Sequence, residues 1–142
     1  MKTRVLLVDD EKEFIESLSE RLELRLFDVK TAFNGDDAVN LLQQEDMDVV
    51  VLDVLMPGKD GIATLTEIKK LKPLTQVIML TGNATVETAI SGMKRGAYDY
   101  LIKPTETEDL VKKITSAAKL KREHEERIQQ AEIQNIIKHR GW

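Results

Sequence analysis

Polar groups capable of chemistry stand where the chain's apolar runs end. Asp9 and Asp10, with Glu11 following, close the run over residues 4–9. Asp53 closes 48–53, Thr81 closes 76–81, and Lys103, just before Pro104, closes 99–103. If each run is a strand of one open sheet, these groups collect beyond the carboxyl ends, where such sheets bind ligands. Adjacent carboxylates repel, and without a partner their pKa values rise. A hard divalent cation relieves the repulsion. Magnesium takes one or two carboxylates together with water and phosphate oxygens. Lys103 then faces the oxygens of a phosphoryl group and Thr81 donates a hydrogen bond to another. Asp53, the middle carboxylate, is placed as a nucleophile able to form an aspartyl phosphate. The implied chemistry is phosphoryl transfer, in which positioning and charge neutralisation do most of the work.

The elements that must position these groups are legible as alternation. Runs at residues 4–9, 29–32, 48–53, 76–81 and 99–103 read as strands. The first, third and fourth are nearly unbroken Val, Ile and Leu, as expected of strands covered on both faces. Between them lie helical periods: 11–26 with Phe14, Ile15, Leu18 and Leu22 on one face, 36–44, 62–71, 86–95, and a last helix from about Glu106. Alternating strands and helices predict right-handed βαβ units and a parallel sheet. Glycines at 35, 58, 61, 82 and 96 mark the joints. The last helix meets no stop before Gly141. Over residues 108–138 it would run about 46 Å and overshoot a body of this size.

The 142 residues suffice for one domain. Composition excludes collagen-like, low-complexity and disordered chains, no apolar run is long enough to span a bilayer, and the absence of cysteine excludes disulfides and thiol chemistry. A cytoplasmic protein with no membrane association is the expectation. Residues 1–118 carry a net charge of −6 and residues 119–142 carry +2. An acidic body argues against direct nucleic-acid binding.

The segments VDD (8–10), VLDVLMPGKDG (51–61), MLTG (79–82) and YDYLIKP (98–104) together resemble the receiver domain of two-component response regulators. The resemblance covers about residues 3–118, leaving 119–142 as a helical extension, linker or dimerisation helix. Residues 84–104 are most similar to receivers of the nitrogen-regulation type, which often precede a sigma-54-dependent ATPase module. The resemblance implies a doubly wound α/β fold of flavodoxin type, with a five-stranded parallel sheet in the order 2-1-3-4-5 and an extended final helix. It implies that Asp53 accepts a phosphoryl group from a phosphohistidine on a sensor histidine kinase. Asp10 and Asp53 would ligate Mg2+ directly, Asp9 through water, and Leu55 through its backbone carbonyl. Thr81 and Lys103 would bind phosphoryl oxygens, Tyr100 would be an aromatic switch coupled to Thr81, and the Lys103–Pro104 bond would be cis. The domain would catalyse its own phosphotransfer and slow dephosphorylation without releasing a metabolite. Leu55 and Asn83, beside the site, suggest an intermediate-to-long phosphoryl lifetime.

Simpler roles exist for each residue alone. Asp9-Asp10 can cap a helix, Asp53 can end a strand in a turn, Thr81 can cap the next helix, and Lys103 can be a solvated edge charge. None of these explains why all converge on one edge. Tyr98 and Tyr100 flank Asp99 and are expected to face opposite sides of the sheet. His124 and His139 have no carboxylate cluster around them and read as solvent-facing. Positions 114, 117, 121, 124, 128, 131 and 135 follow a 4–3 spacing, which suggests a parallel homodimer through the last helix, the receiver face being the other route. A flavodoxin-like cofactor binder would need a phosphate-cradling loop where Asp9-Asp10-Glu11 stands. A Mg-dependent aspartyl-phosphate phosphatase would usually carry a second Asp at the position of Leu55. A DNA-binding helix-turn-helix has no room here.

Overall fold

In the computed structural model, residues 2–55, 60–82 and 85–139 are described. Gly58, Asn83 and Gly141 lie outside them. The strands are β1 (Arg4–Val8), β2 (Asp28–Ala32), β3 (Val49–Leu52), β4 (Gln76–Thr81) and β5 (Asp99–Ile102). The helices are α1 (Lys12–Leu24), α2 (Gly35–Gln44), α3 (Gly61–Leu71), α4 (Val86–Lys94) and α5 (Thr107–His139). All strand pairs are parallel and the order is β2-β1-β3-β4-β5, as expected.

Two-residue periodicity divides the core into two layers. Leu6 and Val8, Val50 and Leu52, and Val77 and Met79 face α2 and α3 with Ala38, Leu42, Leu65 and Ile68. Val5 and Leu7, Val49 and Val51, and Ile78 and Leu80 face α1 and α5 with Ile15, Leu18, Leu22, Leu110 and Ile114. Burial on both faces explains why the central strands are continuous apolar runs.

The helix starts follow local capping chemistry. Asn34 Oδ1 accepts the Asp37 N–H at 2.8 Å, and Asp60 Oδ1 accepts that of Ala63 at 2.7 Å. Thr85 and Thr88 cap α4 reciprocally, so the helix after Thr81 is not capped by Thr81, which belongs to β4. Helix α1 ends at Leu24, two residues before the expected limit. Leu26 takes a positive φ of 68° and turns the chain into β2, so the apolar period running through Leu24 and Leu26 continues into solvent.

Tyr98 and Tyr100 do face opposite sides, but not through strand alternation, which places residues two apart on one face. Tyr98 precedes β5 and packs against the α1/α5 layer, whereas Tyr100 lies within β5, beside α4. Helix α5 runs 33 residues. Its first half packs on the sheet through Leu110, Ile114, Ala117 and Ala118. Lys121 is the last buried side chain, with Nζ 3.3 Å from Asp48 Oδ1. The expected 4–3 seam is therefore corrected over its first three positions. Ile114, Ala117 and Lys121 belong to the protein's own core and clamp; His124, expected to face solvent, is half-buried, and the described residues from Glu125 on are exposed. Ile128, Ile133, Ile136 and Ile137 are exposed. Among the described residues no helix is long and apolar enough to cross a membrane.

Candidate functional site

The sheet ladder runs one residue past each of three strands. The amide N–H groups of Asp9, Asp53 and Lys103 donate to the carbonyls of Ala32, Val8 and Thr81. Continuing the alternation, Asp9 follows Val5 and Leu7, and Asp53 follows Val49 and Val51. Both carboxylates thus emerge on the α1 side at the edge where the strand order reverses, between β1 and β3. Asp9 is 2% exposed and Asp53 6%, while Asp10 is exposed. Carboxylate oxygens of all three lie within 4.8 Å of one another. A set of hard oxygen donors this close suits a divalent cation, which would remove their mutual repulsion.

Lys103 enters this cluster from β5. Its Nζ lies 2.5 Å from Asp9 Oδ2, 3.7 Å from Glu11 Oε1 and 3.8 Å from Asp53 Oδ2. The side chain is only 15% exposed, so it is not a solvated edge charge. The Lys103–Pro104 bond is cis. Burial disfavours the ammonium, but the hydrogen bond to Asp9 and the charges of Asp9, Asp53 and Glu11 outweigh burial and push the Lys103 pKa up.

Asp53 responds in the opposite sense to its neighbours. Burial pushes its carboxyl pKa up and the Asp9 charge adds to this. The Leu55 N–H, the Lys103 charge and the Thr81 hydroxyl only partly offset the rise. The Leu55 amide donates to Asp53 Oδ1 at 3.1 Å, while the Leu55 side chain is half exposed. The Glu11 amide donates to Asp9 Oδ1 at 3.0 Å, tying the acidic pair to the first turn of α1. Glu11 itself holds the N-cap position and no side chain caps α1, so the simple capping reading of Asp9-Asp10 does not hold.

Asp9, Asp10, Asp53, Thr81 and Lys103 are therefore brought together, with Leu55 alongside. Tyr100 is not among them. It stands beside α4, part-exposed, next to Val86, Ile90 and Met93. Two neighbours of Lys103 had no role in the sequence reading. Glu11 reaches the ammonium, and the Phe14 ring lies under it with the centroid 4.2 Å from Nζ. Phe14 reads as core because it shares helical spacing with Leu18. Its place one turn after Asp10 is the only signal that marks it.

A family model described as the response regulator receiver domain matches residues 5–115. A CheY-like response regulator receiver domain protein from Methanospirillum hungatei is 27% identical, with 87% of this chain and 99% of that chain covered at a TM-score of 0.84. A response regulator from Burkholderia pseudomallei, solved with a phosphorylated aspartic acid, a calcium ion and citrate, is 26% identical over 98% of this chain and 86% of that one, with a TM-score of 0.77. NtrX from Brucella abortus, solved with ADP, is 33% identical and has a TM-score of 0.83. The match covers 89% of this chain and 29% of NtrX. With the fold, the acidic edge and the part-buried lysine in agreement with these matches, the chain belongs to the response regulator receiver domains, the signalling phosphoacceptors of two-component systems.

Proposed function

We propose that Asp53 is the phosphoacceptor and that a sensor histidine kinase is the donor. The carrying observation is the convergence of three carboxylates and one part-buried ammonium at the β1/β3 edge. An Asp53 carboxylate oxygen attacks phosphorus, the P–N bond of the phosphohistidine breaks, and its electron pair stays on the imidazole nitrogen. Asp10 and Asp53 would hold Mg2+ directly, Asp9 through water, with the Leu55 carbonyl as a further ligand. The ion supplies charge neutralisation at the reacting oxygens. Lys103 and Thr81 hold the phosphoryl oxygens that develop charge during transfer. The raised Asp53 pKa fits a carboxylate that needs cationic company in order to react in its ionised form.

Phosphorylation adds about −1.5 to −2 charge at this edge. Lys103 and Thr81 then exchange their present partners for phosphoryl oxygens, and Tyr100 is the reading's aromatic switch beside α4. Residues 1–118 act as the receiver unit and 119–142 as linker or dimerisation helix in a cytoplasmic protein. Parallel homodimerisation would use the free part of α5, around Ile128 and Ala131. The resemblance to NtrX supports a nitrogen-regulation type, with output through a downstream module that controls transcription. The chain's own product is a conformation, with slow autodephosphorylation as its only turnover.

The test is incubation with acetyl phosphate and Mg2+, read by intact mass. The wild-type protein is expected to gain one phosphoryl group, and Asp53→Asn or added EDTA to abolish it. A phosphoryl adduct of equal yield on Asp53→Asn would displace Asp53 from the role.

A further inference from the structure

We infer that Phe14 is a positioning residue for Lys103, its ring forming one wall of the socket that keeps the ammonium aimed at Asp9 and Asp53. The inference rests on the phosphoacceptor reading above. The 4.2 Å between Nζ and the ring centroid is well inside the ~6 Å range over which an aromatic face attracts a cation. Carboxylates of Asp9, Glu11 and Asp53 supply the other walls. The two strongest walls are mechanically linked. Asp9 Oδ2 takes the Lys103 ammonium, while Asp9 Oδ1 accepts the Glu11 N–H at the start of α1, the helix that carries Phe14. Beside the ring lies a cavity of about 130 Å3 lined by Phe14 and Lys103 themselves together with Leu18, Arg21, Leu80 and Leu110.

A lysine stem has four rotatable bonds, so an ammonium that lost the ring could fold back toward this space. Lys103 already lines that space, so what the ring supplies is a π face that holds the ammonium on the carboxylate side, where an aliphatic side chain offers none. A phenyl ring has no donor for a phosphoryl oxygen and no ligand atom for a divalent cation, so the effect inferred for Phe14 is the one it exerts through Lys103. Removing the ring should slow phosphoryl transfer while leaving the carboxylate cluster, and hence the Mg2+ requirement, as it was.

The test uses the full chain with Phe14→Leu, Phe14→Tyr and site-specific mono-, di- and trifluorinated phenylalanine at position 14. In proton–carbon NMR of the unphosphorylated protein, the Lys103 ε-methylene protons should be shifted upfield by the ring in wild type and Phe14→Tyr. In Phe14→Leu they should return to their ordinary position. With acetyl phosphate at saturating Mg2+, Phe14→Leu should form the adduct about three- to tenfold more slowly and Phe14→Tyr within about twofold of wild type. Each added fluorine should slow it further, with the half-saturating Mg2+ concentration unchanged. Fluorination preserves the packing, so this series decides the matter even if Phe14→Leu folds poorly. The inference is overturned by an unshifted ε-methylene in wild type, by a wild-type rate in Phe14→Leu, or by rates indifferent to fluorine. Failure of the phosphoacceptor reading has a different signature: wild type and Asp53→Asn then give the same mass result, while the NMR arm still decides the ring contact.

Discussion

Asp53 is buried, shares its surroundings with Asp9, and has its pKa raised by burial first and by that like charge second. Its folded-state pKa therefore lies above the unfolded value near 3.8. Between the two values the folded state binds more protons, so ionising Asp53 costs stability as pH rises through that window. The cost is absent below the unfolded pKa and complete above the folded one. In metal-free buffer at pH 7, Asp53→Asn is expected to raise the thermal midpoint by a few degrees, about 1 kcal/mol. That advantage should shrink as pH falls toward 4. Melting curves of both proteins across this range check the sign, and a gap that widens on acidification would contradict it. Leu55 offers no hydrogen bond to a water approaching the phosphoryl group, and its side chain is half exposed beside Asp53. Leu55→Asn supplies one and is expected to shorten the phosphoryl lifetime roughly fivefold, measured by decay of the intact-mass adduct. An unchanged lifetime would remove Leu55 from control of hydrolysis.

Helix α3 begins against the backbone that carries Asp53. A Cβ at Gly61 would sit 2.4 Å from Val54 Cα and 2.5 Å from the Asp53 carbonyl oxygen, while the Gly61 amide donates to the Val54 carbonyl at 2.9 Å. Backbone cannot yield as a side chain can. Gly61→Ala is expected to cost about 3 kcal/mol in urea unfolding and to slow phosphorylation. Gly92 gives the contrasting case on α4. Its Cβ would meet first Met79 Cε and Sδ, the far end of a flexible side chain, with Ile62 Cδ1 at an ordinary 3.8 Å, and alanine favours a helix interior. Gly92→Ala should stay within about 1 kcal/mol of wild type in the same measurement. The elements themselves were legible because burial on both sheet faces leaves unbroken apolar strands and the helices keep a 3.6-residue period. Their ends were less so. Asp9, Asp53 and Lys103 read as strand residues, yet they lie one position past β1, β3 and β5. That distinction depends on partner carbonyls across the sheet, which one strand's pattern does not carry. The end of α1 has no glycine to mark it, since Leu26 itself takes the positive φ. The carboxylates, Thr81 and Lys103 could be found from strand ends alone. Phe14 could not, because a ring at core spacing looks the same whether it packs on leucine or under an ammonium.

At the scale of the molecule, α5 is two things in one element. Up to Lys121 it is part of the core; beyond, its side chains are exposed or half-exposed. Deleting residues 123–142 is therefore expected to shift the thermal midpoint by less than about 2 °C and leave the phosphorylation rate unchanged, since among the described residues it takes from Lys121 the part-buried pair with Glu125 and leaves the one with Asp48. A large loss of stability would show that the segment packs where it now stands free. Packing of Leu110, Ile114, Ala117 and Ala118 on the sheet was legible from sequence, yet the 4–3 spacing counts Ile114 and Ala117 a second time, because both uses of a helix select apolar residues at the same interval. The clamp between Lys121 and Asp48 makes the free segment a rigid arm pivoted at the body. From Lys121 to His139 the arm is about 27 Å long at 1.5 Å per residue. A tilt of about 10° at that fulcrum would sweep its tip through about 5 Å, roughly the pitch of one helical turn. A change in the angle at which α5 leaves the sheet would thus reach the far end as a displacement set by the length of the arm.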